Sequence, residues 1–266
     1  MLRKGDLTQG GITGTLLHFT LPMMVGSFLQ QCYNIADTLI VGQCIGAGAL
    51  AAVGSAYTLM VFLISVLLGL AMGSGTVFSL HYGAGNHVAL RRSIFSSFAL
   101  IGIVTLILNV AVFIWLDPIL RLLQVPQDIY GMMRSYLWII FCGIVFTFIY
   151  NFYASLLRAV GDSVTPLWFL AVSVVLNIAL DLFFILQLDW GIQGAAAATV
   201  LAQGVAALGI IIYTYRRRPE LRWHHEDMCF DRTCLKEIAS FSTLTCVQQS
   251  VMNLGILMVQ GLVNSF

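Results

Sequence analysis

Hydrophobic residues are concentrated in seven long stretches that are separated by short polar segments. A helix needs roughly 20 mostly apolar residues to cross a bilayer, and every stretch is long enough. None shows the strict alternation of polar and apolar residues that is typical of a membrane-barrel strand. We therefore expect an all-α polytopic membrane protein without a soluble domain. The predicted spans lie near residues 15–43, 51–80, 93–115, 135–157, 165–187, 192–215 and 238–264.

The composition supports this fold class and excludes several others. Of the 266 residues, 59% are hydrophobic and 9% are charged, whereas soluble domains carry about 25% charged residues. The net charge of +1 provides no surface for nucleic acid, and the six cysteines are not spaced as a disulfide framework. No P-loop, nucleophile elbow or dinucleotide fingerprint occurs, so we expect neither an enzyme nor a cofactor.

The distribution of Lys and Arg predicts the orientation in the membrane, because cytoplasmic segments are enriched in these residues. With a cytoplasmic N-terminus, the outer loops hold only Arg121 and Arg134. We therefore predict a multi-pass protein of the cell (inner or plasma) membrane with its N-terminus inside. The eleven basic residues of the cytoplasmic segments are then Arg3, Lys4, Arg91, Arg92, Arg158, Arg216, Arg217, Arg218, Arg222, Arg232 and Lys236.

Two acidic residues lie inside the predicted spans, Asp37 in the first and Asp181 in the fifth. A charge at the bilayer centre costs about 2.5–3.5 kcal/mol on insertion scales, so such residues are candidates for function. No Lys or Arg lies within a span to neutralise either one. An unpaired buried carboxylate takes up a proton or coordinates a cation, and both behaviours suit an ion-coupled transporter.

Polar residues at helical spacing accompany both acids and must face protein or water rather than lipid. At a rise of 1.5 Å per residue, Asp37, Asp181 and Thr199 all fall in the outer half of the membrane. Their carboxylate, amide and hydroxyl oxygens suit a proton or a hard cation such as Na⁺. Alternatively, these groups only bond neighbouring helices. The stripes are Gln30, Asn34 and Asp37 on the first span, Ser173, Asn177 and Asp181 on the fifth, and Thr199 and Gln203 on the sixth.

Proline and glycine residues mark other features of the spans. Pro22 lies inside the first span and is either a hinge or a static bend. The pairs Gly42-x3-Gly46 and Gly69-x3-Gly73 have the small-residue spacing of closely packed helices.

Several linked segments, in this order and spacing, are similar to those of one transporter family. They are Leu21-Pro22, Tyr33-Asn34-Ile35-Ala36-Asp37-Thr38, Val41-Gly42 through Gly46 to Ala51-Ala52-Val53-Gly54, Tyr82-Gly83-Ala84-Gly85-Asn86, the loop from Arg158 to Pro166, Asn177-x3-Asp181, and Gly191 through Ala198-Thr199. With them the chain resembles the multidrug and toxic compound extrusion (MATE) family, nearest to its bacterial and archaeal DinF-like branch. The resemblance covers nearly the whole chain.

The resemblance implies a two-lobe secondary antiporter with twelve helices around a central cavity. Such a protein exports organic cations, drugs and other amphipathic compounds by alternating access, against H⁺ or Na⁺. By this comparison residues 1–218 form the six-helix N-lobe, 219–237 the cytoplasmic inter-lobe loop, and 238–266 the first helix of a C-lobe. The rest of the C-lobe is expected in the full-length chain.

The resemblance also implies the residues of the cation site. They are Asp37, Asn177, Asp181 and Thr199, which would bind H⁺ or Na⁺. We assign a cavity or support role to Gln30, Tyr33, Asn34, Ser173 and Gln203.

Two other functions fit the sequence less well. A lipid-linked sugar flippase of the same superfamily would carry basic residues in its cavity for a pyrophosphate, and none of the thirteen Lys and Arg is placed mid-span. A seven-helix receptor fits the span count, but the positive-inside balance opposes its usual orientation.

Overall fold

The computed structural model describes residues 12–122, 125–222 and 232–263, and these residues form helices without any strand. The predicted all-α fold is therefore confirmed. A π-helical turn at Phe183–Gln187 extends α6, and a 3-10 turn at Pro219–Leu221 follows α7. The α-helices are α1 Ile12–Cys44, α2 Ala47–Gly83, α3 His87–Leu122, α4 Gln127–Cys142, α5 Ile144–Ala159, α6 Val164–Leu182, α7 Gly191–Arg217 and α8 Arg232–Val263.

Helices occupy all seven predicted spans, but the fourth span is divided. Residues 135–157 belong to α4 and α5, which meet at Gly143 with a bend of 47°. Within the described ranges, α2, α3, α6 with its π turn, and α7 are long and apolar enough to cross a membrane, and the bent pair makes a fifth candidate. That α1 and α8 also cross stays a prediction.

The last helix begins earlier than the sequence suggested. It starts at Arg232 rather than near residue 238, because Cys234 and Ile238 are buried against Val77 of α2. The predicted inter-lobe loop of 219–237 is thus partly helical at both ends, and its residues 223–231 lie outside the described part of the chain.

The bundle is built around α2 and α7. α2 packs against α3, α4, α5 and α8, while α7 packs against α4, α5 and α6. Aromatic side chains fill the space between α2, α3 and α5, where the Phe152 ring is 5.9 Å from Phe78 and 5.2 Å from Phe98, in edge-to-face contacts. α1 packs mainly on α6, which brings the first polar stripe toward the fifth-span stripe.

Close backbone packing joins α2 to α8. A methyl group added at Gly73 would lie 2.4 Å from Ser242 Cα, and one added at Gly69 would lie 2.7 Å from Cys246 Cα. Ser242 Oγ also donates to the Leu70 carbonyl at 3.3 Å. The predicted packing role of Gly69 and Gly73 is confirmed.

The same prediction is wrong for the pair of glycines near the end of α1. Gly46 has a φ of +115° and makes the turn between α1 and α2, and a methyl group there would meet nothing within 4 Å. Gly42 would make only ordinary contacts with Leu50 of the next helix. The spacing matched a packing motif, but here the second glycine supplies a backbone conformation that other residues rarely adopt.

The α2–α8 contact yields a test of the packing. We expect Gly73→Ala to lower the free energy of unfolding by about 1–3 kcal/mol, because overpacking forces two backbones apart. Gly54→Ala is the matched control, since its methyl group would meet nothing within 4 Å. Thermal unfolding in detergent measures both variants, and equal melting temperatures would contradict the close packing.

Candidate functional site

Three helices bring four predicted residues together inside the bundle. Asp37 comes from α1, Asn177 and Asp181 from α6, and Thr199 from α7. Asn177 and Asp181 are 0% exposed, Thr199 is 7% exposed and Asp37 is 8% exposed. Side chains of this polarity are seldom so deeply buried unless they bond one another.

Hydrogen bonds connect the polar groups across the helices. With its amide nitrogen toward Asp181, Asn177 donates to Asp181 Oδ2 at 3.0 Å and accepts from the backbone N–H of Thr199 at 3.2 Å. The spacing of four residues on α6 places both side chains on one face. Tyr33, one turn before Asp37 on α1, donates its hydroxyl to Thr199 Oγ1 at 3.2 Å.

The carboxyl groups of Asp37 and Asp181 face each other closely enough to share a hydrogen bond. Asp37 Oδ1 and Asp181 Oδ1 are buried without a hydrogen-bond partner in the described structure. No ion pair to either carboxylate occurs among the described residues. Two adjacent carboxylates repel each other unless a proton or a cation lies between them.

Tyr136 of α4 also belongs to this cluster, and the sequence analysis missed it. The residue is 3% exposed and lies near enough to Tyr33, Asp37 and Asp181 to interact with them electrostatically. In a long apolar stretch, this tyrosine is indistinguishable from any aromatic residue of the core. A buried tyrosine hydroxyl usually seeks a polar partner, which is the one signal that could have identified it.

The other predicted support residues have different surroundings. Gln203 accepts a hydrogen bond from Thr147 of α5, one turn away from Thr199, and Asn151 donates to the Thr147 carbonyl at 2.8 Å. Asn34 donates to Gln31 on its own helix at 3.2 Å. The contacts of Gln203 thus belong to a second polar group between α5 and α7, and the bond of Asn34 lies within α1.

The remaining predicted residues lie outside the cluster. Gln30 is exposed on α1 and Ser173 is half-buried on α6, and neither forms a hydrogen bond to the carboxylates within the described part of the chain. Pro22 lies within a helix that continues from Ile12 to Cys44. Its role as a hinge or a static bend stays a prediction.

The donor set of the cluster defines what it can bind. It offers two carboxylates and the Thr199 hydroxyl, which are hard oxygen ligands, while the amide nitrogen of Asn177 donates to Asp181. Within the described part of the chain, no three or more His, Cys, Asp and Glu side chains are grouped as metal ligands. The arrangement fits a shared proton or a single hard monovalent cation. Because the cluster is buried, either one would interact strongly with the two carboxylates.

Comparison with known proteins identifies the family of this chain. The MatE family model matches residues 22–183, which include Asp37, Tyr136, Asn177 and Asp181. The chain is 36% identical over 217 residues to the probable multidrug resistance protein YpnP of Bacillus subtilis (strain 168), covering 82% of this chain and 49% of that protein. It is 31% identical over 210 residues to the multidrug export protein MepA of Staphylococcus saprophyticus, covering 76% and 45%.

A solved structure shows the same fold. It is an outward-facing conformation of a multidrug resistance MATE family transporter of the MOP superfamily, with a TM-score of 0.89 and 24% sequence identity. The match covers 97% of this chain and 57% of that one. The agreement extends over nearly all of the helices described above.

The chain spans about half the length of the curated relatives that it matches. The receptor alternative gains no support from these relatives, which are named as multidrug resistance and export proteins. The DinF-like branch stays a prediction. With a family model that matches residues 22–183 of its 266 residues, the chain belongs to the MatE family.

Proposed function

We propose that this chain forms the N-lobe of a secondary antiporter that couples the export of amphipathic compounds to the entry of H⁺ or Na⁺. The observation that carries the proposal is the buried pair Asp37 and Asp181, which has unpartnered carboxylate oxygens and no basic partner in the described structure. Relatives named as multidrug export and resistance proteins support the export of drugs. The activity is transport rather than catalysis.

The carboxylate pair couples ion binding to conformation by simple electrostatics. A proton or Na⁺ between Asp37 and Asp181 removes their repulsion and allows α1 to pack on α6. Loss of the ion leaves two buried charges that α1 relieves by moving away or by admitting water. An ion that binds one arrangement better than the other shifts the population between them.

The exported compound would meet a broad and mostly apolar surface. α1 exposes Met23, Met24 and Phe28 in addition to its polar stripe. Methionine and aromatic side chains adapt to ligands of different shapes, which suits a binding cavity of low selectivity. We propose that a C-lobe in the full-length protein supplies the opposite wall.

Contacts at one end of the bundle join helix ends that are predicted to lie on the same, cytoplasmic side. Arg218 after α7 lies 3.6 Å from Asp162 before α6, and His81 of α2 lies 3.7 Å from Glu237 of α8. The helix ends that the positive-inside rule assigned to the cytoplasm are therefore neighbours, as a consistent topology requires. We propose the cell membrane as the location, and no nucleic acid as a partner.

The flippase alternative gains no support from the site. Near Asp37 and Asp181 the described structure shows no ion pair to a Lys or Arg, whereas a pyrophosphate group would need basic residues in the cavity.

The coupling proposal is tested by neutral replacements of the two acids. We expect Asp37→Asn and Asp181→Asn, made in the complete gene product, to reduce gradient-driven efflux of ethidium from proteoliposomes. Coupling free energies are typically 1–3 kcal/mol, so the loss should be about 5–150-fold. Separate H⁺ and Na⁺ gradients identify the ion that drives the wild-type protein.

Asp128→Asn is the matched control, because Asp128 is exposed at the start of α4. This control should keep wild-type efflux, and all three variants should reach wild-type abundance in the membrane. Normal coupled efflux by both Asn variants of the buried pair would refute the proposal.

The orientation is tested by labelling from outside the cell. In a chain whose native cysteines are replaced by serine, Leu188→Cys in the predicted outer turn should react with an impermeant maleimide in intact cells. Ala84→Cys in the turn between α2 and α3 should react only after permeabilisation. Both positions are exposed, so accessibility on the protein itself is matched. The reverse pattern would place the N-terminus outside.

A further inference from the structure

The bend between α4 and α5 is held in place by a neighbouring helix. Gly143 is buried at the apex of this 47° break. Asn109 of α3 donates its side-chain amide to the Phe141 carbonyl at 3.0 Å, just before the break. A helix interrupted at membrane depth needs such partners for its freed backbone groups.

At the apex, the backbone of Gly143 lies directly against Val200 of α7. A methyl group at Gly143 would be 2.4 Å and 2.7 Å from the two Val200 Cγ atoms and 3.0 Å from Cβ. Rotation of the valine cannot relieve the contact, because Cβ does not move with χ1 and a helical valine has one strongly preferred rotamer. Any side chain at position 143 would therefore push α7 away.

Backbone conformation does not explain the glycine. Gly143 has φ −89° and ψ −4°, and non-glycine residues also adopt this conformation. Glycine is required at position 143 only because a side chain there would not fit against Val200.

The contact lies next to the proposed cation site. Val200 follows Thr199, which accepts from Tyr33 at 3.2 Å and whose backbone N–H donates to Asn177 at 3.2 Å. Relief of a 2.4 Å contact to an ordinary separation of at least 3.4 Å needs a shift of about 1 Å, which is enough to break bonds of this length.

The bent span meets α7 on both sides of this point. Before the bend, Tyr136 of α4 lies within electrostatic range of the two carboxylates, and after it, Thr147 of α5 donates to Gln203 of α7. The contact between the Gly143 backbone and Val200 thus sets the position of α7 relative to α1 and α6.

We propose that Gly143 is a positioning residue of the cation site, which lets α7 approach closely enough for Thr199 to join Tyr33 and Asn177. The inference rests on the proposed function, because it assigns a role toward the cation that this site would bind. It predicts that the affinity for the cation, rather than folding alone, depends on the space between residues 143 and 200.

The test measures cation binding through thermal stabilisation of the purified complete gene product in detergent. The Na⁺ concentration at half-maximal stabilisation is determined at constant ionic strength with choline as the replacement, and the pH of half-maximal stabilisation is determined without Na⁺. Gly143→Ala should raise the Na⁺ concentration at half-maximal stabilisation by about threefold to tenfold, which is the effect of losing one hydrogen bond. The double variant Gly143→Ala/Val200→Ala should return toward the wild-type value, because the shorter side chain restores the space.

Two further variants keep the test decisive. Gly204→Ala on α7 is the matched control, since its methyl group would lie an ordinary 3.6 Å from Phe146, and it should bind the cation as the wild type does. If Gly143→Ala does not fold, Val200→Ile crowds the same contact from the other side. This variant should also raise the Na⁺ concentration at half-maximal stabilisation.

The outcomes separate this inference from the proposed function. Wild-type half-saturation in Gly143→Ala or in Val200→Ile, or a loss that Val200→Ala does not restore, would overturn the positioning role while the cation site stands. A response to cations that persists unchanged in Asp181→Asn, or that is absent from the wild type, would overturn both.

Discussion

The burial of two facing carboxyl groups without a basic partner is the constraint on which the centre of this lobe depends. Asp37 and Asp181 lie in a bundle with almost no exposure, and each has an oxygen that no described group satisfies. Such a pair is stable only when a proton or a cation reduces its charge. The surrounding donors, Asn177 and Tyr33, orient the cluster but cannot neutralise it.

Glycine contacts bring helices close together at two places in the bundle. In a membrane, lipid tails are as apolar as core side chains, so helix association depends on tight packing and on hydrogen bonds between helices. Gly69 and Gly73 bring α2 against α8, and Gly143 brings the bent span against α7. The first contact holds the last described helix to the bundle, and the second borders the carboxylate cluster. Close packing at Gly143 and the hydrogen bonds of the carboxylate cluster therefore stabilise neighbouring parts of the same helix interface.

Particular residues show how far the sequence could predict the site. The two intramembrane acids and the partners Asn177 and Thr199 were predicted because desolvation cost and helical periodicity are readable along one chain. Tyr136 was missed, since an aromatic residue in an apolar stretch looks the same whether its hydroxyl faces lipid, core or a carboxylate. Gln203 was placed near the acids by its spacing from Thr199, but one helical turn was enough to give it a different partner, Thr147.

The sequence by itself determined the all-α class, the positions of the apolar stretches, the two unneutralised acids and the likeness to a transporter family. These features follow from local composition and from the 3.6-residue period, which need no knowledge of neighbouring helices. Only the tertiary structure decided that the fourth stretch bends at Gly143, that α1 packs on α6, and that Asp37 meets Asp181. The reason is physical: which helix faces lie together depends on interhelical packing, where a single methyl group or hydroxyl decides the approach, and no pattern along one helix encodes its partner.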